Sequence, residues 1–531
     1  MNHQLPCRLL GAALLTAPAG VANADDASPP APLPAQVVVT ADGAARAYDR
    51  MIFGGFLEHF DNQIYGGVFE PGSPLADAQG FRRDVIEALR ELQTPIIRWP
   101  GGCFVDSYHW RNGVGPERKP HGDFRWGVIE PNTFGTHEFV ALCRKIGAEP
   151  YICLNGLADP RENLDWVAYC NATEGPMAEL RKANGHPAPL DVKYWSVGNE
   201  RYDRPYIHRV RDTARAMKAA YPGILVSCSG AQDGTAIHRY LLEQAGAYLD
   251  FVSLHSYALP RANDLPRFDY LTAVGKSDEA GTFMARVSAA LADAGVAGRI
   301  RIAYDEWNLR AWQHPGFPRD AVRDYDDPAI RELVDRRRRQ NDTASDYTMA
   351  DALFAASFLN ACLRHSEHVT MANIAPLVNT RGPLFVHPEG IVKRTHFHVM
   401  AMYAKLLQER VEESHITAGA LTDAPRSVAV VDAIATIDAS GKRRALALVN
   451  RHPDRVVACT LRIGDLMLDG LHPATVLHAD SADAFNDIAH PDRVAPRQAE
   501  LRFHDNTTTL PPHSLTIVTL AGPPQDGRGN H

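Results

Sequence analysis

Between about residues 50 and 405, eight short apolar runs alternate with helical patterns, and this alternation constrains the fold more than any other feature. The runs are MIFGGFLEH, TPIIRWPGG, EPYICLNG, VKYWSVGNE, ILVSCSG, FVSLHSY, RIRIAYDEWN and HVTMANIAP. They are continuously apolar rather than alternating, as parallel strands covered on both faces require. Between them lie segments such as HEFVALCRKIGAEP, where Phe139, Leu142, Cys143 and Ile146 recur at helical spacing and Gly147 ends the run. Eight strands separated by helices predict a closed (β/α)8 TIM barrel. A doubly wound open sheet is the alternative, but no glycine-rich phosphate loop follows the first strand.

Beyond about residue 406 the helical period fades. SVAVVDAIATI, RALALVN, VVACTLRI and SLTIVTLAG alternate with Gly, Asp, Asn and Pro turns, which predicts a C-terminal antiparallel β-sandwich over 406–522. Ala35–Asp42 reads as one more strand, joining that sandwich from the far side of the barrel. The chain is thus an α/β protein: a leader over 1–24, a proline-rich spacer and strand over 25–49, a barrel over 50–405, the sandwich, and a flexible tail over 523–531.

The leader has Arg8, an apolar run from Leu9 to about Val21, and Ala22-Asn23-Ala24 as a small-x-small cleavage site. This is the pattern of a secretory signal peptide, too short for a stable membrane anchor. It predicts an exported protein, periplasmic or secreted, with no membrane association after cleavage. A formal net charge of -8 argues against nucleic acid as a partner. The one basic run, Arg336 to Arg339, is short and flanked by acids. Eight cysteines less Cys7 of the leader leave seven, an odd number that is no disulfide framework. Cys143, Cys153, Cys228 and Cys362 lie in apolar runs and read as small buried hydrophobes.

The chemistry is concentrated where strands end, which in a (β/α)8 barrel is the catalytic face. Strand four, KYWSVGNE, ends in Asn199 and Glu200; strand seven ends in Asp305, Glu306, Trp307 and Asn308. These strands face each other across a barrel mouth. Two carboxylates over one concave site suit glycosidic bond cleavage, one protonating the leaving oxygen and the other attacking the anomeric carbon. Asn199 is placed to hold a sugar hydroxyl. Strand one ends in Glu58 and His59, strand two in Arg98 to Cys103, and strand six in His255 and Tyr257. Trp99, Trp110, Trp307 and Trp312 are candidate faces for a sugar ring. Other chemistries lack their signatures: there is no GxSxG elbow, HExxH or paired CxxC, so no metal and no cofactor is expected.

GGFLEHFDNQIYGGVFEPGSP, RWPGGCFVDSYHWRNGVGP, EPNTFGTHEF, EPYICLNG, KYWSVGNE and AYDEWN, in this order, resemble glycoside hydrolase family 51, mainly retaining α-L-arabinofuranosidases. The likeness runs from about Ile52 to Tyr403. GNE alone is shared by many barrel glycosidases and marks only the clan; the block from Glu58 through Trp110 is more specific. The resemblance implies Glu200 as general acid/base, Asn199 on the sugar 2-hydroxyl, and Glu306 as nucleophile. It implies Glu58 as a binder of arabinose hydroxyls, Arg98 as the arginine that orients the site, and Cys103 as a sugar contact. His255 and Tyr257 match the strand-six pair, the tyrosine hydrogen-bonded to the nucleophile. It departs from the common pattern at Cys103, where many members have asparagine, at Ser256, where an aromatic is common, and at Pro376, where many have glutamine. The expected substrate is an arabinose-containing oligosaccharide or polysaccharide, and a homo-oligomer is expected by family habit. Another retaining glycosidase of the clan, such as a different furanosidase, a β-xylosidase or an endoglucanase, is the alternative, and a barrel that binds carbohydrate without cleaving it is a second.

Overall fold

The computed structural model describes residues 30–40, 45–126, 129–230, 236–257, 269–309, 347–423 and 426–521. The leader, Trp312, Arg336 to Arg339 and the C-terminal tail lie outside these residues.

All eight apolar runs form strands of one parallel sheet. They are β1 (Gly54–Phe56), β2 (Ile96–Trp99), β3 (Glu149–Leu154), β4 (Tyr194–Val197), β5 (Leu225–Cys228), β6 (Phe251–Tyr257), β7 (Arg301–Asn308) and β8 (Val369–Ile374). Their order around the sheet is β6-β7-β8-β1-β2-β3-β4-β5. The seam between β5 and β6 is narrow: a bridge pairs Ser229 with Ser253, and Gly230 N donates to Ser253 O at 3.1 Å. The barrel is therefore nearly closed.

Helices return the chain between strands as the sequence pattern requires. The helix Thr136–Ile146 turns Phe139, Leu142, Cys143 and Ile146 inward and stops at Gly147, whose φ of 79° suits glycine. After β4, Asp203 caps the helix Arg204–Ala220 by accepting from Tyr206 N, with Pro205 in its first turn. Inside the barrel, Ile96, Tyr151, Tyr194, Ala303 and Met371 pack into an apolar floor. Two residues further along their strands stand Arg98, Cys153, Ser196, Asp305 and Asn373, all buried. The strand period of two carries that second, polar layer toward the mouth.

The C-terminal domain stacks two sheets. Leu33–Val39 is the second strand of the smaller one, antiparallel to Ser414–Ala418 and parallel to Val457–Ile463. It begins inside the proline-rich stretch; Pro34 sits near the strand start, where its missing N–H is tolerated. The larger sheet runs through Val431–Ile437, Arg443–Asn450 and Ser514–Ala521. Val37, Val39, Leu446, Leu448, Leu461 and Val518 share the core between the two. The barrel helix Met349–Arg364 meets this domain through Arg364, whose Nη1 is 2.8 Å from Asp432 Oδ1, while Asn360 Nδ2 donates to Asp432 Oδ2 at 2.9 Å. Cys143, Cys153, Cys170, Cys228, Cys362 and Cys459 are free and buried. Among the described residues no helix is long and apolar enough to cross a membrane.

Candidate active site

At the C-terminal mouth of the barrel, Glu58, Arg98, Cys103, Asn199, Glu200, His255, Tyr257 and Glu306 converge from five strands. Glu306 is held at both oxygens: Arg98 Nη1 donates to Oε1 at 2.6 Å and Tyr257 OH to Oε2 at 2.6 Å. His255 Nδ1 stands 2.8 Å from Glu200 Oε1 and 3.5 Å from Glu306 Oε1. Single oxygens of the two glutamates lie within 4.8 Å of each other. An approach this close accords with the roughly 5 Å carboxyl separation of retaining glycosidases rather than the about 6.5–9.5 Å of inverting ones.

Arg98 also donates through Nη2 to Asn199 Oδ1 at 2.8 Å, turning the asparagine amide nitrogen toward Cys103 Sγ, 3.8 Å away. Glu58 Oε1 accepts three N–H groups, from Gly102 N at 2.8 Å, Phe104 N at 3.0 Å and Trp126 Nε1 at 3.0 Å. Gly102 is required here: a Cβ would meet Glu306 Oε1 at 2.7 Å. Glu200 has a left-handed backbone, φ 44°, unusual for a residue with a side chain. Such strain, of about 1–3 kcal/mol, is typical of functional positions.

β7 carries a bulge that decides which of its side chains reach the site. Its register against β8 shifts between Tyr304 and Trp307. Asp305 and Glu306, though consecutive, therefore both address the barrel interior. Asp305 is fully buried beneath the glutamates, 3.3 Å from Arg98 Nε and accepting from Tyr151 OH at 2.9 Å. The same bulge corrects an expectation. Trp307 offers no face to a sugar: it is 1% exposed, and its ring stacks on Phe358 at 4.2 Å on the helix side of the barrel. Trp99 and Trp110 are likewise core, stacked on Phe139 and Trp166. His59 lies behind the site, its Nδ1 2.7 Å from Glu130 and its Nε2 accepting from Trp99 Nε1 at 2.8 Å.

Among the described tryptophans, Trp126, which carries no periodic signal in the sequence, reaches the site; it stacks on Phe60 at 4.8 Å and donates to Glu58. Asp305 carries no signal in the sequence that sets its role apart from that of the adjacent Glu306. The usable signal for Trp126 was loop length: over thirty residues separate β2 from the helix at Thr136, far beyond an ordinary βα connection.

The electrostatics follow from this packing. Burial and then the charge of Glu306 push Glu58 up to about 8, against the pull of its three N–H donors. Burial opposes a charge on His255, but Glu306 and the hydrogen bonds to Asp305 and Glu200 outweigh it and push the ring up to about 10. Burial also works to raise Glu200; the hydrogen bond and charge of His255, with Arg98, overcome it and leave Glu200 below its ordinary value. Burial and three surrounding glutamates push the Cys103 thiol well up, so it stays protonated, 3.9 Å from Glu200 Oε2. Glu200, His255 and Glu306 have the composition of a metal site. The Arg98 guanidinium on Glu306 and the protonated imidazole between the carboxylates already fill it with cations, so the donor set is arranged for hydrogen bonds.

Comparison with known proteins agrees with this geometry. Residues 88–273 match the family model for the α-L-arabinofuranosidase 1 domain, and residues 305–514 that for the α-L-arabinofuranosidase C-terminal domain. The chain is 34% identical over 397 residues to a probable α-L-arabinofuranosidase C of Aspergillus clavatus, covering 69% of this chain and 74% of that protein. It is 30% identical over 511 residues to an intracellular exo-α-(1→5)-L-arabinofuranosidase of Streptomyces lividans, covering 90% and 74%. Among solved structures it is similar to the Thermotoga maritima α-L-arabinofuranosidase in complex with arabinose, with a TM-score of 0.80 and 29% identity over 92% of this chain and 100% of that one. The arabinofuranosidase of Xanthomonas axonopodis pv. citri gives a TM-score of 0.81 and 28% identity, with the same coverage. With its barrel, its paired glutamates and these relatives, the chain belongs to the α-L-arabinofuranosidases of glycoside hydrolase family 51.

Proposed function

We propose that this glycoside hydrolase removes terminal α-L-arabinofuranosyl groups from plant oligosaccharides or polysaccharides by double displacement, with Glu306 as nucleophile and Glu200 as acid/base. The observation that supports it best is the approach of the two carboxylates to within 4.8 Å around His255. Arg98 and Tyr257 hold the two oxygens of Glu306, so the carboxylate is oriented before the sugar arrives. Glu306 attacks the anomeric carbon and forms a glycosyl ester while the glycosidic oxygen takes a proton from Glu200. His255 Nδ1, 2.8 Å from Glu200 Oε1, is placed to supply that proton to Glu200. Esterification removes the charge on Glu306. Glu200 then takes a proton from water, which attacks the anomeric carbon, breaks its bond to Glu306 and releases arabinose with its configuration kept. Asn199, Glu58 and the Cys103 thiol line the space where the sugar hydroxyls sit.

The leader over 1–24 supports export, to the periplasm or the medium, where arabinan and arabinoxylan are accessible substrates. We also propose self-association of the chain, measurable by sedimentation. The catalytic reading is tested by the initial rate on an aryl α-L-arabinofuranoside. The wild type should turn over, and Glu306→Ala should lose turnover while keeping its circular dichroism spectrum. Near-normal activity in Glu306→Ala would sink the assignment.

A further inference from the structure

Beside Glu200 the rim of the site carries two arginines on one buried acid. Arg201 follows Glu200 directly and is pinned by the short run to the Asp203 cap, so it stays at the mouth. Its Nη1 is 3.5 Å from Asp106 Oδ2, and the same oxygen accepts a hydrogen bond from Arg125 Nη2. Arg125 precedes Trp126, whose indole reaches Glu58, and it lies close enough to Cys103 to act on the thiol. Its guanidinium carbon sits 5.5 Å over the ring of Phe124, which is 58% exposed, the one aromatic among the strongly exposed large hydrophobics described.

Two acids of this cluster lie underneath: Asp106 and Asp123 are buried, whereas Asp203, whose Oδ2 is 3.9 Å from Arg201 Nη2, caps the following helix and is itself exposed. The guanidiniums stand further out: the Arg125 and Arg201 side chains are 38% and 27% exposed, against 2% for Asp106. A molecule lying along this rim meets a flat apolar ring and two planar cations.

Which molecule lies there follows from the chemistry of Glu200. Its proton goes to the glycosidic oxygen, so the sugar that departs is bonded to an atom in contact with Glu200. The rim bordering Glu200 is made by Arg201, the next residue, and by the loop of Cys103, whose Sγ is 3.9 Å from Glu200 Oε2. Guanidinium forks match carboxylates in shape and charge, and aromatic faces match the apolar side of a pyranose ring.

We propose that Phe124, Arg125 and Arg201 form the leaving-group subsite and recognise a carboxylate on the departing sugar. The preferred substrate is then an arabinofuranosyl group carried by a hexuronic acid. The inference rests on the assignment of Glu200 as acid/base. If the arginines only braced the loop through Asp106, rates would not depend on the charge of the leaving sugar.

The test uses the full chain and two disaccharides in which an α-L-arabinofuranosyl group is joined by the same linkage to galacturonic acid or to galactose. A charged hydrogen bond to the carboxylate should raise kcat/KM for the uronate about tenfold over the neutral sugar. Added salt should close that gap, because the contact is partly exposed. Arg125→Gln and Arg201→Gln should each lower the uronate-to-neutral ratio, with Arg201→Lys restoring part of it. If either variant misfolds, the salt titration of the wild type decides alone. Equal kcat/KM for the two disaccharides, indifferent to salt, would overturn the inference. So would turnover of the aryl glycoside with neither disaccharide cleaved, which leaves the proposed function standing. Failure on the aryl glycoside as well would bring down the functional reading and this inference together.

Discussion

His255 places Nδ1 2.8 Å from Oε1 of Glu200, and this contact pulls Glu200 below its ordinary value against the effect of burial. The sign of the consequence is fixed. Removing the imidazole lets the carboxyl bind its proton at higher pH, while the second half of the reaction needs that group ionised. On an activated aryl arabinofuranoside, for which release of the enzyme-bound sugar limits kcat, the acid limb of the His255→Asn profile should move to higher pH. At neutral pH kcat should fall about tenfold to a hundredfold, the scale of a lost charged hydrogen bond. A limb in the wild-type position would show that His255 does not govern Glu200.

Glu58 gives a second, separable pH effect. Burial and Glu306 raise it to about 8 from an ordinary 4.5, so the native state holds a proton there that the unfolded chain releases. That contribution to stability is complete below pH 4.5 and disappears as pH rises through 8. His255, raised from 6.5 to about 10, has the same sign over its own window, from pH 6.5 to 10. In Glu58→Gln the melting temperature should fall less steeply between pH 5 and 8, and an alkaline limb of kcat/KM near pH 8 should vanish. Thermal melts and rate profiles across this range check both; a limb unchanged in the variant would place its origin in another group.

The contact between barrel and sandwich predicts a stability effect remote from the chemistry. Arg364 pairs with the buried Asp432, which Asn360 also holds. Arg364→Ala strands that carboxylate, and because Arg364 is itself partly solvated the loss should be roughly 2–3 kcal/mol rather than that of a fully buried pair. Urea denaturation measures it. A value near zero would mean that Asp432 finds water when Arg364 is gone.

What was legible in the sequence and what was not divides on physical grounds. The barrel strands are long, continuous apolar runs, so each could be found without knowing its neighbours. Glu200 and Glu306 were legible because each closes such a run. Asp305 and Trp307 were not, since an alternating strand would turn Asp305 away from the face that holds Glu306. The bulge in β7 breaks that rule: Asp305 keeps the inward phase of Ala303, Glu306 turns inward beside it, and the tryptophan goes to Phe358. A bulge is a register fact between two strands and leaves no periodic trace in either one. Phe124, Arg125 and Trp126 lie in the long connection after β2, where no periodicity exists; only contact with Glu58 and Asp106 marks them.

The central claim is that Glu306 forms a covalent bond to the sugar and Glu200 controls its making and release. The most direct measurement is mass spectrometry of acid-quenched Glu200→Ala after brief exposure to an aryl α-L-arabinofuranoside with a good leaving group. Such a leaving group departs without a proton, while the missing base stalls hydrolysis of the ester. The account predicts a pentosyl adduct, found after proteolysis on the peptide that carries Glu306. A pentosyl group on another residue, or steady arabinose release with no adduct and no burst of phenolate, would contradict it.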